Sequence, residues 1–385
     1  MPELYRKYIH LLMMVCWVID GKPSNIQAQE QQQVPAWSGF GIEVNALAGK
    51  VYKHEARFTL PIPSLTTGAD INFMVHTFGR KAWSQRCHYP TVGIGLTYVD
   101  YGIDNVYGRS IGIYPNIELP LLTLGQLRWT VRLGDGIGYV SQHYSRLSPV
   151  DTVNVAIGSH INDFAYFTTD LRYTINDHWE LQAGGHFNHI SDASFRKPNL
   201  GINMYGAHIG IRYFPVTAHP QRIRRTLPPL SNRWLVQARV SMAMVSGFVP
   251  NGPIYPVYLL AGMVSRRWMN MNKAFAGIDY SRHQEVYAYL IANDLYRGNE
   301  WQHAYKSAIF VGNEFMFGRV GVVGQVGAYI HQAYLREDDV YEKIGGNFYI
   351  VQHERGPIKE LSLCAFLKTH KTHAELGEFG IGVSF

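Results

Sequence analysis

The sequence is poor in cysteine, in charge and in long apolar runs. Three Cys in 385 residues exclude a disulfide scaffold and a Cys-rich zinc module. Charged residues make up 17%, below the roughly 25% of ordinary soluble domains. The apolar share of 46% nevertheless excludes intrinsic disorder. The apolar runs fall short of the several stretches of about 20 residues that a polytopic helical membrane protein needs. Lys and Arg exceed Asp and Glu by 35 to 29, an excess too diffuse to imply nucleic acid as a partner. Tyrosine and glycine are abundant, at 25 and 37 residues, and this composition suits an all-β chain.

Residues 1–28 read as a secretory signal peptide. Arg6 and Lys7 form a basic start, Ile9 to Ile19 form an apolar stretch too short to span a bilayer, and Ala28 offers a small residue for cleavage. Cys16 follows Met-Met-Val, a poor lipobox. Residues 29–36 form a mobile polar lead-in. Cys87 and Cys364 then remain, and nothing in the sequence demands a bridge between them.

From Trp37 onward apolar and polar residues alternate with period two, the pattern of strands with two unlike faces. Leu127, Trp129, Val131 and Leu133 oppose Arg128, Thr130 and Arg132. Val236, Ala238, Val240 and Met242 oppose Gln237, Arg239 and Ser241. In the last segment Phe379, Ile381, Val383 and Phe385 share one face. A soluble sandwich would turn such apolar faces inward, whereas a barrel in lipid turns them outward and keeps polar residues in the lumen. The signal peptide, the terminal Phe and the small polar residues of the opposite faces favour the barrel. The fold expected is an antiparallel transmembrane outer-membrane β-barrel of about 12–16 strands, with an eight-stranded barrel plus a C-terminal extension as the alternative. Barrel strands with an active site are expected over 37–214, a Pro/Arg-rich linker over 215–231, and further barrel strands over 232–385. A short helix is expected within 283–300. The place of the protein is then the bacterial outer membrane.

The segment 178–191 concentrates the chemistry. By parity His189 and Ser191 share the outward face with Trp179, Leu181, Ala183 and Phe187, and Asn203 opens the outward series of the next strand. Residues i and i+2 of a strand lie about 7 Å apart, a gap that rotamer choice closes. The imidazole can then take the Ser proton for attack on an acyl carbonyl, and Asn203 can fix the tautomer. A nucleophile on the outer wall near the extracellular rim meets membrane lipid, so the substrate expected is a lipid ester. Polar residues at a barrel rim are also common without catalysis.

The run His189-Ile-Ser191-Asp192-Ala193-Ser-Phe-Arg-Lys-Pro198-Asn199-Leu-Gly201-Ile-Asn203 resembles the His-x-Ser-Asn-(Ala/Gly)…Pro-Asn-x-Gly pattern of the lipid A 3-O-deacylase (PagL-type) family, also called acyloxyacyl hydrolases. Tyr98 to Gly102, Gly134 to Tyr139 and Asn154 to Ile161 are similar to it too, and the long form with its second half resembles members from Bacteroidota. The resemblance implies an outer-membrane serine esterase that removes an ester-linked acyl chain from lipid A without metal or other cofactor. It implies Ser191 as nucleophile, His189 as base, and lipid A or lipopolysaccharide of the outer leaflet as partner. Two positions depart from the pattern. Asn203 stands where the acidic partner is expected, and an amide oxygen can still accept the imidazole N–H. Asp192 stands where an Asn donates to the oxyanion, and an ionised carboxylate cannot donate. Ala193 and Asn199 are the remaining candidates for that work. A non-catalytic pore and a lipopolysaccharide-binding barrel are the alternative functions.

Other motifs read as structural. Ser159 and His160 are adjacent and point to opposite faces. Lys368-Thr-His370-Lys-Thr-His373 reads as a solvated basic turn in which a metal would lack further ligands. Arg222, Arg224 and Arg225 read as solvated linker residues.

Overall fold

The period-two alternation builds strands whose polar faces turn inward. The computed structural model describes residue 35 and residues 37–385, apart from 55, 56, 148, 218, 219, 269, 270 and 372. The expected signal peptide and most of the lead-in lie outside these residues. Among them sixteen antiparallel strands follow one another in chain order. The first eight are β1 (Phe40–Val51), β2 (Thr66–His76), β3 (Thr91–Asp100), β4 (Arg109–Leu124), β5 (Leu127–Val140), β6 (Ile161–Thr174), β7 (Trp179–Ser191) and β8 (Ile202–Tyr213). The second eight are β9 (Trp234–Ser246), β10 (Ile254–Arg267), β11 (Asn272–His283), β12 (Tyr305–Phe317), β13 (Val320–His331), β14 (Val340–Gln352), β15 (Glu360–His370) and β16 (His373–Ser384).

The strands close as two barrels of eight, not as one larger cylinder. β8 returns to β1, with Tyr213 opposite Ile42 and Met204 opposite Val51. β16 returns to β9, with Phe379 opposite Met242 and Val383 opposite Ala238. The alternation fixes which residues face outward but is silent on which strand closes each ring, because β8 offers the same edge to β1 or to β9. Closure leaves no unpaired edge, the condition for a sheet in lipid.

Each wall is apolar outside and polar inside. Trp129, Leu171, Leu181, Ile209 and Val240 are exposed on the outer surfaces, whereas Arg132, Arg172, Arg212, Glu43 and Asp70 are buried. An eight-stranded barrel is just wide enough for side chains to fill. In the first lumen Arg132 bonds Glu43 at 2.8 Å and Asp70 at 2.7 Å, and Arg212 bridges Glu43 and Glu118. In the second, Lys273 pairs with Glu314 at 2.8 Å and Glu360 at 3.0 Å, and Lys343 with Glu378 at 3.1 Å. Such charges persist in a low-dielectric interior only because each has its counter-charge and hydrogen bonds.

Most of the short turns lie at one end and most of the long loops at the other. Asn176 turns the chain between β6 and β7, its side chain accepting the N–H groups of His178 and Trp179 as an Asx turn does. That end also carries the helix α1 (Ala82–Arg86) and the connection after β8. The other end carries the loops after β5, β7 and β11. The loop after β11 holds the helix α2 (Gln284–Ala292), at the start of the range expected from sequence. Long loops mark the extracellular end of outer-membrane barrels. Among the described residues no helix is long and apolar enough to cross a membrane. Cys87 and Cys364 are free thiols.

Candidate active site

β7 and β8 are paired so that His189 lies directly opposite Asn203. Both occupy the outward face at the extracellular end, with Phe187 and Tyr205 next below them toward the bilayer. His189 Nδ1 lies 2.6 Å from Asn203 Oδ1, and His189 Nε2 lies 2.9 Å from Ser191 Oγ. An amide oxygen only accepts, so the proton of the neutral ring sits on Nδ1 and donates to Asn203. Nε2 is then the lone-pair nitrogen, and the Ser191 hydroxyl donates to it. The three residues expected from sequence thus stand in one hydrogen-bonded line, on the outer wall as parity requires.

Their surroundings differ from the expectation of open contact with lipid. Ser191 is 3% exposed and Asn203 8%, because the chain after Ser191 folds back over them. Gly201 returns that chain with φ +77°, and a Cβ there would stand 2.8 Å from His189 Cε1; only glycine fits both the backbone and the space. His54 Nε2 meets the carbonyl of Leu200 at 2.9 Å and anchors the return from the β1 side.

The candidate oxyanion residues lie in this fold-back. Asp192 Oδ2 accepts from Ser159 Oγ and from the Arg196 N–H, each at 3.1 Å, while its Oδ1 is buried without a hydrogen-bond partner. Burial pushes the Asp192 carboxyl up to about 7 against the pull of these donors. The Asp192 N–H points to Asn199 Oδ1 at 3.3 Å. This orients the Asn199 amide and leaves its Nδ2 buried without a partner. Ala193 and Ser194 both adopt positive φ, 53° and 65°, a reversal that separates the Ala193 N–H from the strand ladder. Ser159, read from sequence as structural, is one of the groups that hold Asp192.

Two features of the second barrel escape a reading centred on β7. Ser281 Oγ lies 3.0 Å from His283 Nε2, and His283 Nδ1 lies 2.7 Å from Glu285 Oε1. The same i, i+2 spacing in the sequence signals it, but Ser281 and His283 face the lumen, where Ser281 is 3% exposed. Only part of the Lys368–His373 segment is the solvated turn expected, with Lys371 turning the chain in an exposed position. Lys368 and His370 are buried at the end of β15, because both face the lumen rather than the solvent. His370, Glu337 and Glu375 offer ligand atoms within 4.8 Å of one another. Lys306 Nζ lies 3.1 Å from Glu337 and 2.7 Å from Glu375, so an ammonium already supplies the positive charge that a metal would bring.

Two family models match the chain, one to each barrel. Residues 67–212 match the model described as lipid A 3-O-deacylase (PagL), and residues 233–385 match the acyloxyacyl hydrolase C-terminal domain. No curated protein matches the sequence. Among solved structures, neisserial surface protein A is 15% identical, with 46% of this chain and 97% of that one covered and a TM-score of 0.32. The outer membrane enzyme PagL is 16% identical, with 45% and 99% covered and a TM-score of 0.30. OpdO of Pseudomonas aeruginosa is 10% identical, with 93% and 99% covered and a TM-score of 0.25. The chain therefore belongs to the lipid A 3-O-deacylase family of outer-membrane ester hydrolases, with the C-terminal domain of the acyloxyacyl hydrolases as its second barrel.

Proposed function

We propose that this protein deacylates lipid A with Ser191 as nucleophile and His189 as general base, on the outer wall of the first barrel. The observation that carries the reading is the line Asn203 Oδ1, His189, Ser191 Oγ, with separations of 2.6 and 2.9 Å, on a face that otherwise meets the bilayer. Ser191 Oγ attacks the ester carbonyl carbon and passes its proton to His189 Nε2. Asn203 accepts from Nδ1–H throughout and holds the ring in the tautomer that leaves Nε2 free. Negative charge develops on the carbonyl oxygen, where Asn199 Nδ2, buried without a hydrogen-bond partner, and the Ala193 N–H serve as the donors. Donors fixed in a dry site stabilise such charge without reorganising. Collapse of the intermediate breaks the carbon–oxygen bond to the sugar, whose oxygen takes the proton from His189. Water, deprotonated by the same His189, then attacks the acyl carbon; the bond to Ser191 Oγ breaks, Oγ takes the proton back from His189, and the fatty acid leaves.

The outward position suits a substrate whose acyl chains lie in the outer leaflet. The chain does not have to leave the bilayer, and Phe187 and Tyr205 below the site offer it an apolar wall. Lys50 and Lys53 at the outer end of β1 are exposed, and Lys50 pairs with Tyr205 across the β1–β8 seam. They bring positive charge to the level of the headgroup phosphates.

Expression in a Gram-negative host without such an enzyme, followed by mass spectrometry of its lipid A, tests the reading. Loss of one hydroxyacyl chain is expected, with Ser191→Ala returning the profile to that of the host. An unchanged profile beside folded wild-type protein rejects it.

A further inference from the structure

Resting on the assignment of Ser191 as nucleophile, we propose that the second barrel is a positioning element for the first barrel's site. Through Ser246, Ala374 and Gly377, the outer ends of β9 and β16 hold Ala193 and Ser194 in the geometry that presents the oxyanion donors. The loop after Ser191 is divided between two supports. Its near half belongs to the first barrel, where Asp192 is held by Ser159 and by the Arg196 N–H. Its far half belongs to the second. Ser194 Oγ donates to the carbonyl of Ala374 at 2.6 Å, and the Ser194 carbonyl accepts from the Ser246 N–H at 3.1 Å. The Lys197 carbonyl accepts from the Asn251 N–H at 3.3 Å, with the Lys197 ammonium 5.6 Å from the centre of the Phe248 ring.

Ser194 is 4% exposed, so without these partners its hydroxyl and carbonyl would be buried and unpaired. Its backbone, like that of Ala193, is in the left-handed region, which a non-glycine residue keeps only when its surroundings hold it there. The two grips fall between the oxyanion candidates, with Ala193 immediately before Ser194 and Asn199 two residues after Lys197. Gly377 completes the contact. It lies on the outward face of β16, and a Cβ there would meet Ala193 Cβ at 3.0 Å and nothing else within 4 Å. The absence of a side chain on the second barrel thus makes room for a residue next but one to the nucleophile.

The test uses the full-length protein in detergent micelles with lipid A, with kcat and KM measured separately. Ser194→Ala and Gly377→Val are expected to lower kcat by about 10- to 100-fold, the cost of a displacement on the order of 1 Å at a catalytic group. KM should stay within about twofold, because ground-state binding is untouched. The heat-dependent shift in gel mobility reports that the barrels remain folded. In an Ala193→Gly background Gly377→Val should cost less than about threefold, because the methyl that it strikes is gone. Full kcat in both single variants overturns the proposal, as does a Gly377→Val loss that persists in the Ala193→Gly background. If only one variant folds, its kcat decides. A Ser191→Ala control separates the two failures. If Ser191→Ala cleaves as fast as wild type, the nucleophile assignment falls and the positioning role with it. If Ser191→Ala is inactive while Ser194→Ala and Gly377→Val keep full kcat, the positioning role alone falls.

Discussion

At position 192 the pattern of the family has an amide and this chain has a carboxyl, buried and held by Ser159 and the Arg196 N–H. Its proton is retained to about pH 7, against an ordinary value of 3.8. Between those values the folded protein keeps a proton that the unfolded chain has released, so this group's contribution to folding stability is fullest below pH 4 and declines as the pH rises toward 7. Asp192→Asn should remove that decline, as urea unfolding midpoints at pH 5 and 8 would show. The same proton bears on the reaction. Once ionised, the carboxylate opposes charge on the neighbouring oxyanion, so wild-type kcat should turn down above about pH 7 while Asp192→Asn keeps its rate. A shared alkaline limb in both proteins would contradict this. Asn203→Asp acts on the other flank. A carboxylate at 2.6 Å from Nδ1 favours the protonated imidazole, so the acid limb of kcat/KM should move to higher pH. At this scale much was legible in the sequence. The spacing of His189 and Ser191 and the parity of Asn203 followed from a strand's period of two. The cover over Ser191 did not, because it depends on how a ten-residue loop folds back in space.

Along the strands, the outer faces follow from lipid and the inner faces from charge. Each alternating segment read from the sequence became a strand, since a run of outward apolar and inward polar residues has no other way to satisfy both environments. The partners inside the lumen were not legible, for they join residues far apart in the chain. Arg212 on β8 reaches Glu43 on β1 and Glu118 on β4. Arg212→Met should leave two carboxylates without that counter-charge and destabilise the first barrel by about 3–5 kcal/mol, read as a lower urea midpoint. An unchanged midpoint would mean that Arg132 and Arg172 suffice. The Lys368–His370 segment shows the limit of local reading. Its basic, polar letters suit a solvent turn, but they fall at the inward positions of β15, where Glu375 and Glu337 neutralise them.

The molecule as a whole is two closed cylinders, one carrying the His189–Ser191–Asn203 line on its outer wall and the other touching the loop above it. Barrel strands over 37–214 and 232–385 were legible; the closure of eight and eight was not, because edge pairing is written in register rather than in polarity. Lumens packed with Arg132, Arg172, Arg212 and Tyr114 in one barrel and Lys273, Tyr341 and Tyr349 in the other leave the polar faces bonded to one another. Planar-bilayer recordings of the full chain should accordingly show no steady conductance, and a stable open level would favour a pore. The central claim, that an outward serine on the first barrel does the chemistry, is tested most directly by mapping a fluorophosphonate adduct on the folded protein. Peptide mass spectrometry should place the phosphonyl group on Ser191 and lose it in His189→Gln. An adduct on Ser281 instead, or one on Ser191 that forms equally well without His189, would contradict the account.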